Sequence, residues 1–212
     1  MIRPLVALAL LSAACGGATP GVQTANIAPA PQAPAQPYPE SPAAWGEYRS
    51  VRNHMTIPLP SPAAWKIDDR SRAELVATEA STHSTLVVLS EVEPHLVNHE
   101  MCEARARELG LVPAGRISPI EDVVTVGPEA YDTRVRVGIQ TGGGDDKRLV
   151  GHVLAFGAYV RKCLVVHLAT EVGSEDDEQT LSQRLALARV RTVGGIKVDL
   201  LATEPDVKGA PR

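Results

Sequence analysis

Histidine, cysteine and carboxylate side chains carry most acid, base, metal and thiol chemistry, and in this chain they fall into few arrangements. Six His and three Cys are spread over 212 residues. His95 and His99 stand four apart, the separation at which two imidazoles on one helical face share a metal ion, with Glu103 one turn further on. Pro94 competes with that reading, because it can leave His95 ahead of the helix and the pair on a solvated face. His152 and His167 are brought diagonally together on one sheet face by the strand register derived below. That pair is read either as a metal site or as core histidines with satisfied hydrogen bonds. Cys163 follows Arg161 and Lys162, cations that favour a thiolate, yet no motif supplies the base a thiol nucleophile needs. His95, His99, His152 and His167 are therefore candidates only, and no metal or cofactor is assigned.

Enzyme motifs are equally sparse. The chain contains no G-x-S-x-G, no H-E-x-x-H, no G-x-x-x-x-G-K and no C-x-x-C. Paired carboxylates leave little local signature, so a hydrolase or metalloenzyme stays open as an alternative. Asp145-Asp146 and Glu175 to Glu178 already have structural accounts, as a turn and a helix start. A formal net charge of -4, with no Lys/Arg-rich block, argues against nucleic acid. Aromatic residues make up 3% of the chain, which leaves few rings for stacking on bases or sugars.

The start of the chain gives an address. Arg3, an apolar run from Leu5 to Leu11, and small residues ahead of a cysteine in Leu11-Ser12-Ala13-Ala14-Cys15 make a short charged start, an apolar core and a cut site. These residues resemble the signal peptide and lipobox of bacterial lipoproteins, departing at Ser12, where Leu is usual. The resemblance implies removal of residues 1–14 and acylation of Cys15, which would anchor the protein to a membrane without a spanning helix. The competing reading is an ordinary cleaved signal. Gly16 is not the Asp that retains many such proteins at the inner membrane, so the family rule implies the outer membrane, facing the periplasm or the exterior. If Cys15 is acylated, Cys102 and Cys163 remain, and in an oxidising compartment they are expected to pair. The alternative is two buried thiols. Closing about 60 residues contributes on the order of 4 kcal/mol in the loop-entropy account.

The elements that must position these groups follow from pattern. Residues 15–44 hold many prolines amid Ala, Gln, Thr and Ser and read as a tether. Residues 45–204 read as one globular domain and 205–212 as a tail. Ser41-Pro42-Ala43-Ala44-Trp45 recurs as Ser61-Pro62-Ala63-Ala64-Trp65, which in an Ala/Pro-rich region is read as coincidence. Trp65 is the firmer core residue of the two. Val51 to Leu59 alternates as a strand that Pro58 and Pro60 end, and Glu74 to Thr78 and Thr85 to Ser90 give two more. A helix is expected from Leu96 to Leu109, with Val97, Met101, Cys102 and Ala104 inward and Gly110 stopping it.

Tyr131 to Ile139 alternates strictly and returns antiparallel through Leu149 to Ala158. Setting Gln140 opposite Leu149 places Val137 opposite His152 and Val135 opposite Leu154. A tighter turn at Val160-Arg161 sets Ala158 opposite Cys163 and Leu154 opposite His167. The strand from Cys163 to Thr170 is apolar on both sides and needs cover on both. The second cover is a helix from Glu175 to Val193, capped by Ser174, with Leu181, Leu185 and Ala188 as its stripe. Ile196, Val198 and Leu200 close the domain as a strand. The expected fold class is α+β: a single antiparallel sheet with a helix packed on each face.

Met55-Thr56-Ile57-Pro58-Leu59-Pro60 followed by Trp65, with this element order, resembles the fold shared by the PsbP and Mog1 proteins, over Val51 to Leu201. That resemblance implies a mostly non-catalytic binding scaffold and carries over no site residue. The reading is thus a lipid-anchored envelope protein whose domain binds an unidentified protein or small molecule. The alternatives are an envelope hydrolase or metalloenzyme, and a structural envelope component.

Overall fold

A computed structural model describes residues 34–124, 131–142 and 147–199. The leader 1–14, Cys15, the tether as far as residue 33, Asp145-Asp146, Leu200 and the tail lie outside the described residues. In chain order the elements are β1 (Trp45–Ser50), β2 (Met55–Pro60), β3 (Trp65–Asp68), β4 (Leu75–Glu79), β5 (Ser84–Val92), α1 (His99–Glu108) and β6 (Ser118–Val124). They continue with β7 (Asp132–Thr141), β8 (Leu149–Tyr159), β9 (Lys162–Val172), α2 (Glu178–Leu187) and β10 (Lys197–Val198).

Two sheets form, not one. Seven strands pair antiparallel in the order β3-β4-β5-β9-β8-β7-β6, and three more in the order β1-β2-β10. The single sheet fails because residues 51–54 are a turn and not the beginning of a strand. Ser50 Oγ accepts hydrogen bonds from the Asn53 amide at 3.1 Å and its Nδ2 at 3.0 Å, so the chain reverses there and Val51 is left in solvent. Trp45–Ser50 folds back on Met55–Pro60 as a hairpin. Pro58 lies inside β2 and does not end it, whereas Pro60 is its last residue. Among the described residues β10 pairs only with Met55 and Thr56, so both prolines fall where that side of the strand has no ladder to interrupt.

One face of the large sheet presents Val153, Ala155, Leu164, Val166 and Leu168 to α2 and to Met55, Ile57 and Leu59 of the small sheet. Leu181, Leu185 and Ala188 are buried there, as their spacing predicts. Gly151 exists for this contact, since a Cβ on it would stand 2.8 Å from Leu181 and Leu185. The opposite face presents Leu154, Phe156 and Val165 to Ala106 of α1 and to Leu111, Val112 and Ile117. Asn98, whose side chain accepts from the Met101 amide at 2.9 Å, caps α1 and moves its start three residues past Leu96. Its inward residues are Cys102 and Ala106, whereas Met101 and Ala104 face solvent. Gly110, at φ 70°, ends it as expected. Ser174, expected to cap this helix, instead precedes a 3-10 turn, Glu175–Asp177, and its side chain makes no cap bond; Asp177 holds the cap position of α2.

The β8–β9 register is the expected one, with Ala158 opposite Cys163 and Leu154 opposite His167. The β7–β8 register is shifted by one residue: Gln140 faces Val150, Val137 faces Val153 and Val135 faces Ala155. Val135 therefore sits on the α2 side and not beneath the disulfide. A one-residue slip reverses every side chain of a strand, and β8, buried along nearly its whole length, gives no polar face to oppose it.

The repeated pentapeptide makes the same structure twice. Pro42–Ala44 and Pro62–Ala64 are single 3-10 turns, each followed by a Trp that opens a strand. Trp45 Nε1 donates to Pro39 O and Trp65 Nε1 to Pro60 O, both at 2.8 Å, and the Ser61 amide joins the units through Ala44 O at 2.8 Å. Coincidence in composition here coincides with one local solution: Pro sets the turn and Trp staples it.

Before Trp45 the chain is already held. Tyr38 is 2% exposed and its hydroxyl shares a 2.7 Å hydrogen bond with Ser84 Oγ. Gln183 brackets the Tyr38 backbone, donating to its carbonyl at 2.7 Å and accepting from its amide at 3.0 Å. Arg184 donates to Gln36 O at 2.7 Å. Residues 35–40, read as the end of the tether, thus pack as part of the domain.

Candidate functional site

On the face covered by α1, Cys102 and Cys163 form a disulfide, with Cα atoms 5.4 Å apart. His152 and His167 lie on this same face, Nδ1 to Nε2 at 3.1 Å. Burial pushes the His152 imidazole down to about 4, helped by repulsion from His167. Burial also lowers His167, against a hydrogen bond to the Leu111 backbone that favours its charged form. Nε2 of His152 is buried without a partner.

The other pair separates. His95 precedes α1 in an irregular segment, and His99, its first residue, bonds through Nδ1 to Asp132 Oδ2 at 2.8 Å. Glu103 is occupied by arginines. Among the described residues no three His, Cys, Asp or Glu side chains converge on a point suited to a metal ion.

A cleft of about 290 Å³ opens beside the histidine pair, between the end of α1 and strands β6 to β8. Val112, Pro113, Ile117 and Leu154 make its walls, and Arg107 and Arg136 line it as well. Oε1 of Glu103, a side chain 12% exposed, accepts from Arg107 Nη2 at 2.7 Å and from Arg136 Nη1 at 2.8 Å. One carboxylate thus gathers a helix arginine and a strand arginine, each spending a single nitrogen on it. Asp122 is engaged by Arg134, whose guanidinium holds its carboxyl below the usual range. Gly138 lets the wall close in, since a Cβ there would stand 2.3 Å from Ile117 Cγ2 and 2.8 Å from Ser118 O. Chemically, this is an apolar recess with two fork-shaped cations, which suits an anionic group carried on an apolar body.

Arg107 lies on α1 and Arg136 on β7. Their meeting depends on Glu103, which is 33 residues from Arg136, and no local spacing signals it.

No protein-family model and no curated protein matches the sequence. Among solved structures, the chain is similar to PsbP (CyanoP) from Synechocystis sp. PCC 6803, at 11% identity and a TM-score of 0.48, covering 76% of this chain and 95% of that one. It is also similar to the Ran-binding protein Mog1p of Saccharomyces cerevisiae, at 14% identity and a TM-score of 0.48, covering 73% and 95%. A Bacteroides thetaiotaomicron structure matches at 8% identity and a TM-score of 0.39, covering 69% of this chain and 45% of that one.

Proposed function

We propose that this chain is a lipid-anchored protein of the bacterial envelope whose domain binds an anionic ligand non-catalytically in the cleft lined by Arg107 and Arg136. The observation that carries the binding reading is the shared Glu103 carboxylate, which holds two guanidinium groups beside apolar walls. Cationic forks and an apolar wall together select a carboxylate next to a hydrocarbon group, as at the C-terminus of an apolar peptide. The address is supported by the disulfide, which occupies two of the three cysteines and leaves Cys15 for acylation. Gly16 after it supports the outer membrane.

Calorimetric titration of the purified protein with apolar peptides bearing a free C-terminal carboxylate, and with the same peptides amidated, tests the cleft. Binding of the free acids, lost on amidation and in R107A/R136A, is expected; equal binding of both forms would overturn it. Mass spectrometry of the native protein tests the address, with an acylated Cys15 as first residue expected and an unmodified or different N-terminus counting against it.

A further inference from the structure

The tip of the β8–β9 hairpin carries an apolar cluster that the fold does not use. Val160 is 57% exposed, Leu96 72% and Val92 45%. They are neighbours in space: the Val97 amide donates to Val160 O at 2.9 Å, the Glu93 amide to Arg161 O at 2.7 Å, and Val92 pairs with Lys162. Val160 adopts φ 56° at the first position of a two-residue turn, a conformation suited to glycine and costly for a β-branched side chain. A strained valine that buries little is not retained by the packing of its own domain, and such outliers point to function.

Building on the lipid anchor proposed above, we infer from this geometry that the tip enters the headgroup layer of the bilayer that would hold the acyl chains. Two observations select lipid over protein. Three side chains on a narrow apex fall far short of the roughly 20 to 30 residues a side of a stable protein interface. At the turn itself the charges are cations, Arg161 and Lys162, while Glu91, Glu93 and Glu108 nearby share a single cation, Arg105, at 3.1, 3.8 and 3.3 Å. An apolar apex whose turn carries two cations matches an anionic lipid surface.

The geometry of the chain allows it. The described chain begins at the far end of the sheet, where Ala35 meets Asp177, just beyond the end of β9. The 11 residues of β9 span about 36 Å from there to the tip. Residues 16–33, fully extended, reach about 55 Å, so the anchor and the tip can occupy one membrane. Tethering raises the local concentration of the membrane enough for a weak insertion to count.

The test replaces acylation, so that failure of the anchor and failure of the tip are separate results. Residues 1–14 are exchanged for an oligohistidine tag, Cys15 becomes Ser, and the protein is held on phosphatidylethanolamine/phosphatidylglycerol vesicles through nickel-chelating lipid. Trp45 and Trp65 lie at the opposite end of the sheet, near Tyr38 and Glu79, and serve as internal controls. Brominated acyl chains should quench and blue-shift L96W emission while leaving the parent protein unchanged, and V160D in the L96W background should abolish the quenching. Absence of quenching in the vesicle-bound L96W protein, or quenching that survives V160D, would overturn the inference. So would an unquenched tip that cross-links to an envelope protein, which would make the patch a protein interface.

Discussion

His152 Nδ1 and His167 Nε2 meet at 3.1 Å on the sheet face beneath Leu111, with the second nitrogen of His152 buried and unpartnered. An imidazole held near 4, against 6.5 when free, costs the fold stability when it is protonated. The unfolded chain binds the proton more readily, so stability is full above about 6.5 and falls as pH drops toward 4. Between pH 7.5 and 5 the loss is about 2 kcal/mol for His152 alone. Denaturant midpoints should fall across that window in the parent protein, and H152L should flatten the slope. A parallel slope in H152L would exclude this pair as the acid-sensitive element.

The histidine pair was legible because the β8–β9 hairpin was. A two-residue turn and a β9 strand apolar on both faces leave one register that buries everything. β7 against β8 was not, because β8 is buried on both sides and tolerates either alignment. The stripe Leu181, Leu185, Ala188 was equally plain, yet Arg184 within the same helix face was not read as buried. Its acceptors come from residues 36, 82, 170 and 171, and no local pattern announces such a set. The second sheet escaped for a related reason: alternation from Val51 to Ile57 looks like strand, while the turn is made by Ser50 and Asn53 side chains. The arginines of the cleft lie on separate elements, and their common carboxylate, Glu103, stood out only as a residue one turn beyond His99.

The disulfide fastens α1 to β9 across 61 positions of sequence. Loop-closure entropy for that span is on the order of 4 kcal/mol. C102S/C163S should lower stability by roughly this amount. Without reductant the native protein should be lighter by two hydrogens than its reduced form, and alkylation should label only reduced protein. Labelling of both residues without reductant would show two thiols and remove the link.

Arg184 is 1% exposed and donates from Nη1 to Thr82 O, Thr170 Oγ1 and Glu171 O, each at 3.0 Å, and from Nε to Gln36 O at 2.7 Å. Tyr38 lies with its ring centroid 5.9 Å from the guanidinium carbon. Thr82 O keeps a hydrogen bond from Thr170 Oγ1, but Gln36 O and Glu171 O lose the arginine, at a cost of about 1–3 kcal/mol for each one water cannot reach. R184A should therefore destabilise the domain by about 3 kcal/mol and release residues 35–40 from it. Limited proteolysis should cut R184A near Tyr38 while sparing the parent. Q183A, which loses only the bracket on Tyr38, should be cut more slowly than R184A. If R184A keeps full protection, the segment is held by the Gln183 bracket and the buried Tyr38 ring without the arginine.

Val160 offers a check on backbone strain that needs no membrane. At φ 56° a valine pays for its Cβ, whereas glycine adopts this conformation freely. V160G should stabilise the soluble domain by about 1 kcal/mol, the relief of strain outweighing the entropy glycine adds to the unfolded chain. V160A keeps the Cβ but loses the branch, so it should recover only part of that gain. Equilibrium denaturation of the three proteins in buffer measures this order directly. A V160G protein less stable than the parent would mean that Val160 packs within the domain, and its exposure at the hairpin apex would then need a structural cause.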